Sequence, residues 1–148
     1  MPNDWLHFDV RIHPLPASRE AVVTQLEGTT FSRLQFDPRQ LTDQFRWTFE
    51  ELGDILASQD SLFFEPDGSF VWRGQQDGSG WQLDGHLFDR SGRLLFIELA
   101  GHCPQQVLTR FKQLLSEKDS RSLMYEWVRE GVYVDESGFN VLASRPRS

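Results

Sequence analysis

Residues 61–101 read SLFFEPDGSFVWRGQQDGSGWQLDGHLFDRSGRLLFIELAG, and this stretch decides the fold class. Leu62-Phe63-Phe64 and Phe70-Val71-Trp72 flank Glu65-Pro66-Asp67-Gly68. Pro pre-sets φ at the second position of a turn and Gly accepts positive φ at the fourth, so a type I turn closing a hairpin is expected. A flexible loop is expected over Gly74–Gly80, then a strand from Trp81 to Phe88. Asp89-Arg90-Ser91-Gly92 repeats the acid-x-x-Gly pattern before a last strand from Leu94 to Ala100. Four short apolar runs separated by turn residues predict a four-strand antiparallel meander.

On the N-terminal side, Leu6, Phe8, Val10 and Ile12 alternate with polar residues, the period-2 pattern of a half-buried strand that Pro14 and Pro16 end. Ser18 is placed to cap a helix carrying Ala21, Val22, Val23 and Leu26, with Gly28 as its C-terminal stop. A strand from Thr29 to Phe36 follows. Asp37-Pro38 opens a second helix, whose face is Leu41, Phe45, Phe49, Leu52 and Leu56. Residues 45–49 read equally as a short strand, because Phe45, Trp47 and Phe49 also alternate.

On the C-terminal side, Cys103-Pro104 opens a helix striped by Val107, Leu108, Phe111, Leu114 and Leu115 that ends near Glu117. A short helix is expected from Ser122 to Glu130 with Gly131 as stop. Residues 135–143 read either as the second half of a hairpin, through Asp135-Glu136-Ser137-Gly138, or as a terminal helix capped by Asp135. The sum is an α+β fold: one two-layer domain over residues 1–143, an antiparallel β-meander sheet with helices packed mainly on one face, and a frayed tail at 144–148.

The chain has 148 residues, a formal charge of -7 and a single cysteine. That length buries roughly two-thirds of the unfolded surface without a metal or disulfide. One cysteine forms no intrachain bridge, so a reducing, cytoplasmic setting is the default. No apolar run approaches the roughly 20 residues of a membrane span. An acidic domain repels phosphate backbones, which disfavours nucleic acid as a partner. No cofactor motif is present: phosphate loop, dinucleotide fingerprint and nucleophile elbow are all missing.

The candidates for chemistry are few. Cys103 beside His102 stands where a strand hands over to a helix N-terminus, a position that can favour a thiolate, but neighbouring residues rarely aim at one reacting atom. Alternation puts Asp84 and His86 on one strand face, with Glu98 next to it across the Asp89–Gly92 turn, a small cluster fit for acid-base work or paired merely as solvated polar groups. His7, His13, His86 and His102 show no metal-ligand spacing. Leu87–Leu94 resembles one unit of the tyrosine-aspartate repeats of large toxin shells, with Phe88 in place of tyrosine; it occurs once, and the turn chemistry accounts for it.

Two compositional features point towards binding. The chain carries 12 Phe, five Trp and two Tyr, and Trp72 and Trp81 flank the glycine-rich loop. If both meander faces carry aromatics, the uncovered one is a contact surface. Residues 37–67 hold eight carboxylates against Arg39 and Arg46, so -6 of the total -7 lies there, with Glu50, Glu51 and Asp54 in its centre. The sequence therefore predicts a non-catalytic acidic interaction domain, comparable in size and charge alone to secretion chaperones and immunity proteins. It binds a protein partner or itself, through Trp72, Trp81, Glu50, Glu51 and Asp54. The competing expectation is a small hydrolase or transferase using Cys103 and His102, or Asp84, His86 and Glu98.

Overall fold

A computed structural model describes residues 5–146. The meander is present: β4 (Leu62–Phe64), β5 (Ser69–Gln76), β6 (Ser79–Arg90) and β7 (Arg93–Pro104) pair in sequence, all antiparallel. Gly68 donates its N–H to the Glu65 carbonyl at 3.0 Å with φ +98°, as the turn requires. A side chain there would be strained and would also strike the Leu87 carbonyl and the Phe49 ring, each 2.8 Å from its Cβ. The expected loop over Gly74–Gly80 is instead a tight two-residue turn: β5 and β6 run on to Gln76 and Ser79, and Asp77 and Gly78 both take positive φ. The third turn is also a two-residue one, at Ser91-Gly92, with Asp89 accepting the Gly92 N–H at 2.9 Å.

The meander is one side of a seven-stranded sheet of order β4-β5-β6-β7-β1-β8-β9, completed by β1 (Trp5–Pro14), β8 (Leu123–Trp127) and β9 (Val132–Val134). β1 lies between β7 and β8, antiparallel to both, with Phe8 opposite Gly101 and Ile12 opposite both Ile97 and Tyr125. The short helix expected over 122–130 is therefore the strand β8. Pairing on both sides and burial of Met124 and Tyr125 explain why no strand alternation was visible there.

The helix expected from Ser18 is also a strand. β2 (Glu20–Leu26) pairs with β3 (Thr29–Gln35) as a separate two-stranded sheet, and Gly28 is not a helix cap but the second residue of the Glu27-Gly28 turn, with φ of 50° and 82°. Three adjacent β-branched residues, Val22, Val23 and Thr24, favour the extended chain.

The helix opening at Asp37-Pro38 is real but short. Asp37 caps a 3-10 turn over Pro38–Thr42, and the chain then extends, with Phe45 N–H bonded to the Leu94 carbonyl and Leu94 N–H to the Trp47 carbonyl. These bonds to the start of β7 break what periodicity alone draws as one long helix. Residues 45–47 are neither helix nor strand. Helix α1 (Phe49–Ala57) begins only at Thr48, whose side chain and that of Glu51 form a reciprocal capping box worth about 1 kcal/mol.

Helix α2 (Gln105–Ser116) follows β7 with Pro104 at its N-cap, so Cys103 and Pro104 end the strand and do not open the helix. Of the two readings of 135–143, the helix is correct: α3 (Glu136–Ala143) is capped by Asp135, which accepts the Gly138 N–H at 3.0 Å. Leu52 and Leu56 of α1, Leu108 and Phe111 of α2 and Phe139 of α3 share one core with Val10, Ile12, Leu83 and Leu99. Ser144 and Arg145, the first residues of the expected tail, are tied down: Ser144 N–H bonds the Asn140 carbonyl and Arg145 Nη2 donates to Glu130 at 3.1 Å. The end of that tail, residues 147–148, lies outside the described residues.

Candidate functional site

Along each sheet strand, side chains alternate between the core and the opposite face. The register assembles rows across that opposite face. Val71, Asp84, Ala100 and Asp9 stand side by side, and in the next row come Ser69, His86, Glu98, Arg11, Glu126 and Tyr133. Asp84, His86 and Glu98 thus share a face, with His86 directly opposite Glu98.

Their hydrogen bonds run to three different partners. His86 Nε2 donates to the Asp67 carbonyl at 3.1 Å, since a carbonyl only accepts. Glu98 accepts from Arg11 Nε at 3.0 Å, and Asp84 accepts from the Gln82 amide at 2.9 Å. The His86 ring stacks on Phe88 at 4.4 Å, Phe88 on Phe96 at 4.7 Å, and Arg11 lies over Phe96 at 5.3 Å. What this arrangement offers a ligand is a flat aromatic ladder edged with charge.

At one end of the face lies an open groove of about 780 Å³, with His7, Phe63, Arg73, Gln82, Asp84 and His102 in its walls. The His7 and His102 rings meet edge-on at 5.9 Å. Phe63, 64% exposed, stands at the rim on edge strand β4.

Cys103 is on the other side of the sheet. It is fully buried in the core while its neighbour His102 faces the groove, as strand alternation requires. Burial pushes its thiol up to about 12, the reverse of an activated nucleophile. Trp72 is also a core residue, its indole N–H donating to the Asp60 carbonyl at 3.1 Å. Trp81 is half-buried, edge-on to Trp72 at 5.9 Å and lying against Gly74. On α1, Glu50 and Asp54 are exposed, whereas Glu51 serves the capping box and an ion pair with Lys118. That hydrogen bond to Lys118, foremost, holds the Glu51 carboxyl down at about 2.

The structure also assembles a cluster that the sequence did not reveal. His13 is buried, and its Nε2 lies 2.9 Å from Glu126 Oε1, while its ring leans on Phe96 and Tyr133. The hydrogen bond from His13 lowers the Glu126 carboxyl against the opposing effect of burial, and the Arg11 charge helps. Burial, followed by the Glu126 charge, raises the Tyr133 hydroxyl. Only the strand order β7-β1-β8-β9 brings these residues together, and no spacing in the chain announces it.

No family model, curated protein or solved structure matches this chain. Among the described residues, no group of three or more His, Cys, Asp and Glu side chains is arranged to hold a metal ion. No helix among them is long and apolar enough to cross a membrane.

Proposed function

We propose that this chain is a non-catalytic protein-interaction domain. In this reading it is a two-layer α+β unit with its helices mainly on one side of the sheet, and it docks a partner on the face that carries the His86-Phe88-Phe96 ladder. The observation that carries the reading is Phe63: a large apolar side chain, 64% exposed, at the rim of a groove that the half-buried Trp81 also lines. An aromatic anchor ringed by polar groups is the usual composition of an interface centre.

The partner that fits is a protein with a basic surface around an apolar pocket. Asp60, Glu65 and Asp67 are exposed on either side of β4 in the sequence, next to Phe63, and Glu50 and Asp54 extend the negative field along α1. Such charge speeds association, while the apolar contact sets the lifetime of the complex. The lone buried thiol supports a cytoplasmic setting.

The test is recovery of partners on the immobilised full chain, followed by association kinetics with the recovered partner at two salt concentrations. A basic partner whose on-rate falls with salt, and whose complex weakens with Phe63→Asp, supports the reading. A partner indifferent to Phe63→Asp would overturn it. Turnover of a small molecule that depends on His102 or Asp84 would overturn it in favour of a hydrolase or transferase working in the groove.

A further inference from the structure

The two edges of the large sheet are short: β4 and β9 have three residues each. The hairpin is different. β3 buries Phe31 and Leu34, and its neighbour Phe36 meets the Tyr133 ring edge-on at 4.9 Å, so this strand is held against the body of the protein. β2 has seven residues, EAVVTQL, and among the described residues pairs only with β3. Its register with β3 is continuous from Glu20 opposite Gln35 to Leu26 opposite Thr29. Apart from the charge of Glu20 at its end, the usual protections of an edge are not built into it: it has no Pro, no Lys and no bulge. Val23, 73% exposed, lies at its centre.

The turn fixes which backbone groups of β2 point outwards. In a hairpin closed by the two-residue turn Glu27-Gly28, Leu26 and Thr29 exchange hydrogen bonds, and hydrogen-bonded pairs then alternate along the ladder. Leu26, Thr24, Val22 and Glu20 therefore bond to β3, and the N–H and C=O groups of Ala21, Val23 and Gln25 face away from it.

These three residues are spaced to satisfy themselves. If two β2 strands run antiparallel about a two-fold axis at Val23, Val23 meets Val23 and Ala21 meets Gln25, so outward donors face outward acceptors at every position. The flanks agree in charge, because the same register sets Arg19 opposite Glu27 on both sides of the axis. Arg19 Nη1 currently donates to the Pro16 carbonyl at 3.0 Å, which leaves the other guanidinium donors for that pair.

We infer that the chain forms a symmetric dimer with a second copy of itself by antiparallel pairing of β2 with β2, merging the two hairpins into one four-stranded sheet. The interface uses neither the groove nor the aromatic ladder, so it stands or falls independently of the function proposed above. Each copy carries -7, whereas the paired segment Glu20–Leu26 contains one charge, Glu20. Long-range repulsion therefore opposes the contact, and added salt strengthens it, the opposite sign to the steering of a basic partner.

The experiment is sedimentation equilibrium of the full chain from low micromolar to hundreds of micromolar, at low and moderate salt. The expected result is a concentration-dependent monomer–dimer equilibrium that tightens with salt. Val23→Lys should weaken it about tenfold or more, because it places a charge in the ladder centre, while circular dichroism and melting temperature stay unchanged at low concentrations where both proteins are monomeric.

A register test makes the proposal specific. Val23→Cys should give a disulfide-linked dimer under mild oxidation, since residues directly opposite in such a pair are about 5.5 Å apart. Gln25→Cys should not, because its copy lies four residues along, roughly 13 Å away and out of bonding range. A chain that stays monomeric throughout, a dimer indifferent to Val23→Lys, or equal cross-linking at 23 and 25 would overturn the proposal.

Discussion

The meander β4–β7 and the hairpin β2–β3 use the same turn, and their fates differ. Glu27-Gly28, Asp77-Gly78 and Ser91-Gly92 are all two-residue turns with positive φ at both positions. In the meander each strand sends alternate side chains into the core: Leu62, Phe70 and Trp72, Leu83 and Leu87, Leu94, Ile97 and Leu99. In the hairpin β3 does so, whereas every residue of β2 is exposed or half-buried, with Leu26 packed against the core from its end. A turn sets register, whereas burial sets how permanent the strand is.

The widest gap between the two regions should appear in thiol chemistry. Cys103, in the core beneath β7 with its thiol pushed up to about 12, should react with iodoacetamide at pH 7 only as fast as the sheet opens. A cysteine introduced as Val23→Cys, kept reduced, should label far faster, because it is exposed and partly thiolate at that pH without any opening of the fold. Raising the pH from 7 to 9 should speed the β2 cysteine and leave Cys103 governed by opening. Comparable rates at the two positions would erase the contrast.

Stability should separate the regions next. Leu83→Ala removes a fully buried side chain of the meander and should lower the unfolding free energy by about 3 kcal/mol in urea titration. Leu26→Ala, at a half-buried position of β2, should cost under about 1 kcal/mol. Equal costs would mean that the hairpin is as much part of the core as the meander.

The smallest effects isolate turn from burial. Gly28→Val meets nothing within 4 Å of its Cβ, so only backbone strain of about 1–2 kcal/mol is expected. Gly68→Val bears the same strain and also collides with the Leu87 carbonyl and Phe49, and should exceed the Gly28 variant by about 1–2 kcal/mol. Native-state hydrogen exchange would show where each acts: local opening of β2–β3 for the first, global unfolding for the second.

The same contrast explains what could be read from the chain. The meander was legible because one face of each strand is buried, which writes alternation into Phe70 and Trp72 or Leu83 and Leu87, and because Gly68 and Gly92 punctuate it. β2 was misread because a strand with no buried face writes no alternation, and Ala21, Val22, Val23 and Leu26 fall equally well on a helix. β8 failed for the opposite reason, since Met124 and Tyr125 are buried on opposite faces. The break before α1 was available in Thr48 and Glu51, a capping-box pair that outranks the longer periodicity of Leu41, Phe45 and Phe49.

Of the site, the shared face of Asp84, His86 and Glu98 could be read from one hairpin. Their separate partners could not, because Arg11 reaches Glu98 from 87 residues away. The His13-Glu126 contact spans 113 residues and depends on where β1 inserts.

That insertion also governs assembly on the ribosome. β1 precedes every other described strand, and both of its neighbours come late, Pro104 opposite Trp5 and Tyr125 opposite Ile12. This interior strand of the sheet therefore leaves the exit tunnel before either of its partners, and at about 5–20 residues per second it waits several seconds for β7 and β8. During that wait Leu6, Phe8, Val10 and Ile12 form an unpaired apolar strand in the nascent chain, while the meander is already able to close on itself. Docking of β1 between β7 and β8 is the pairing of longest sequence separation in the sheet, the kind of contact that slows folding.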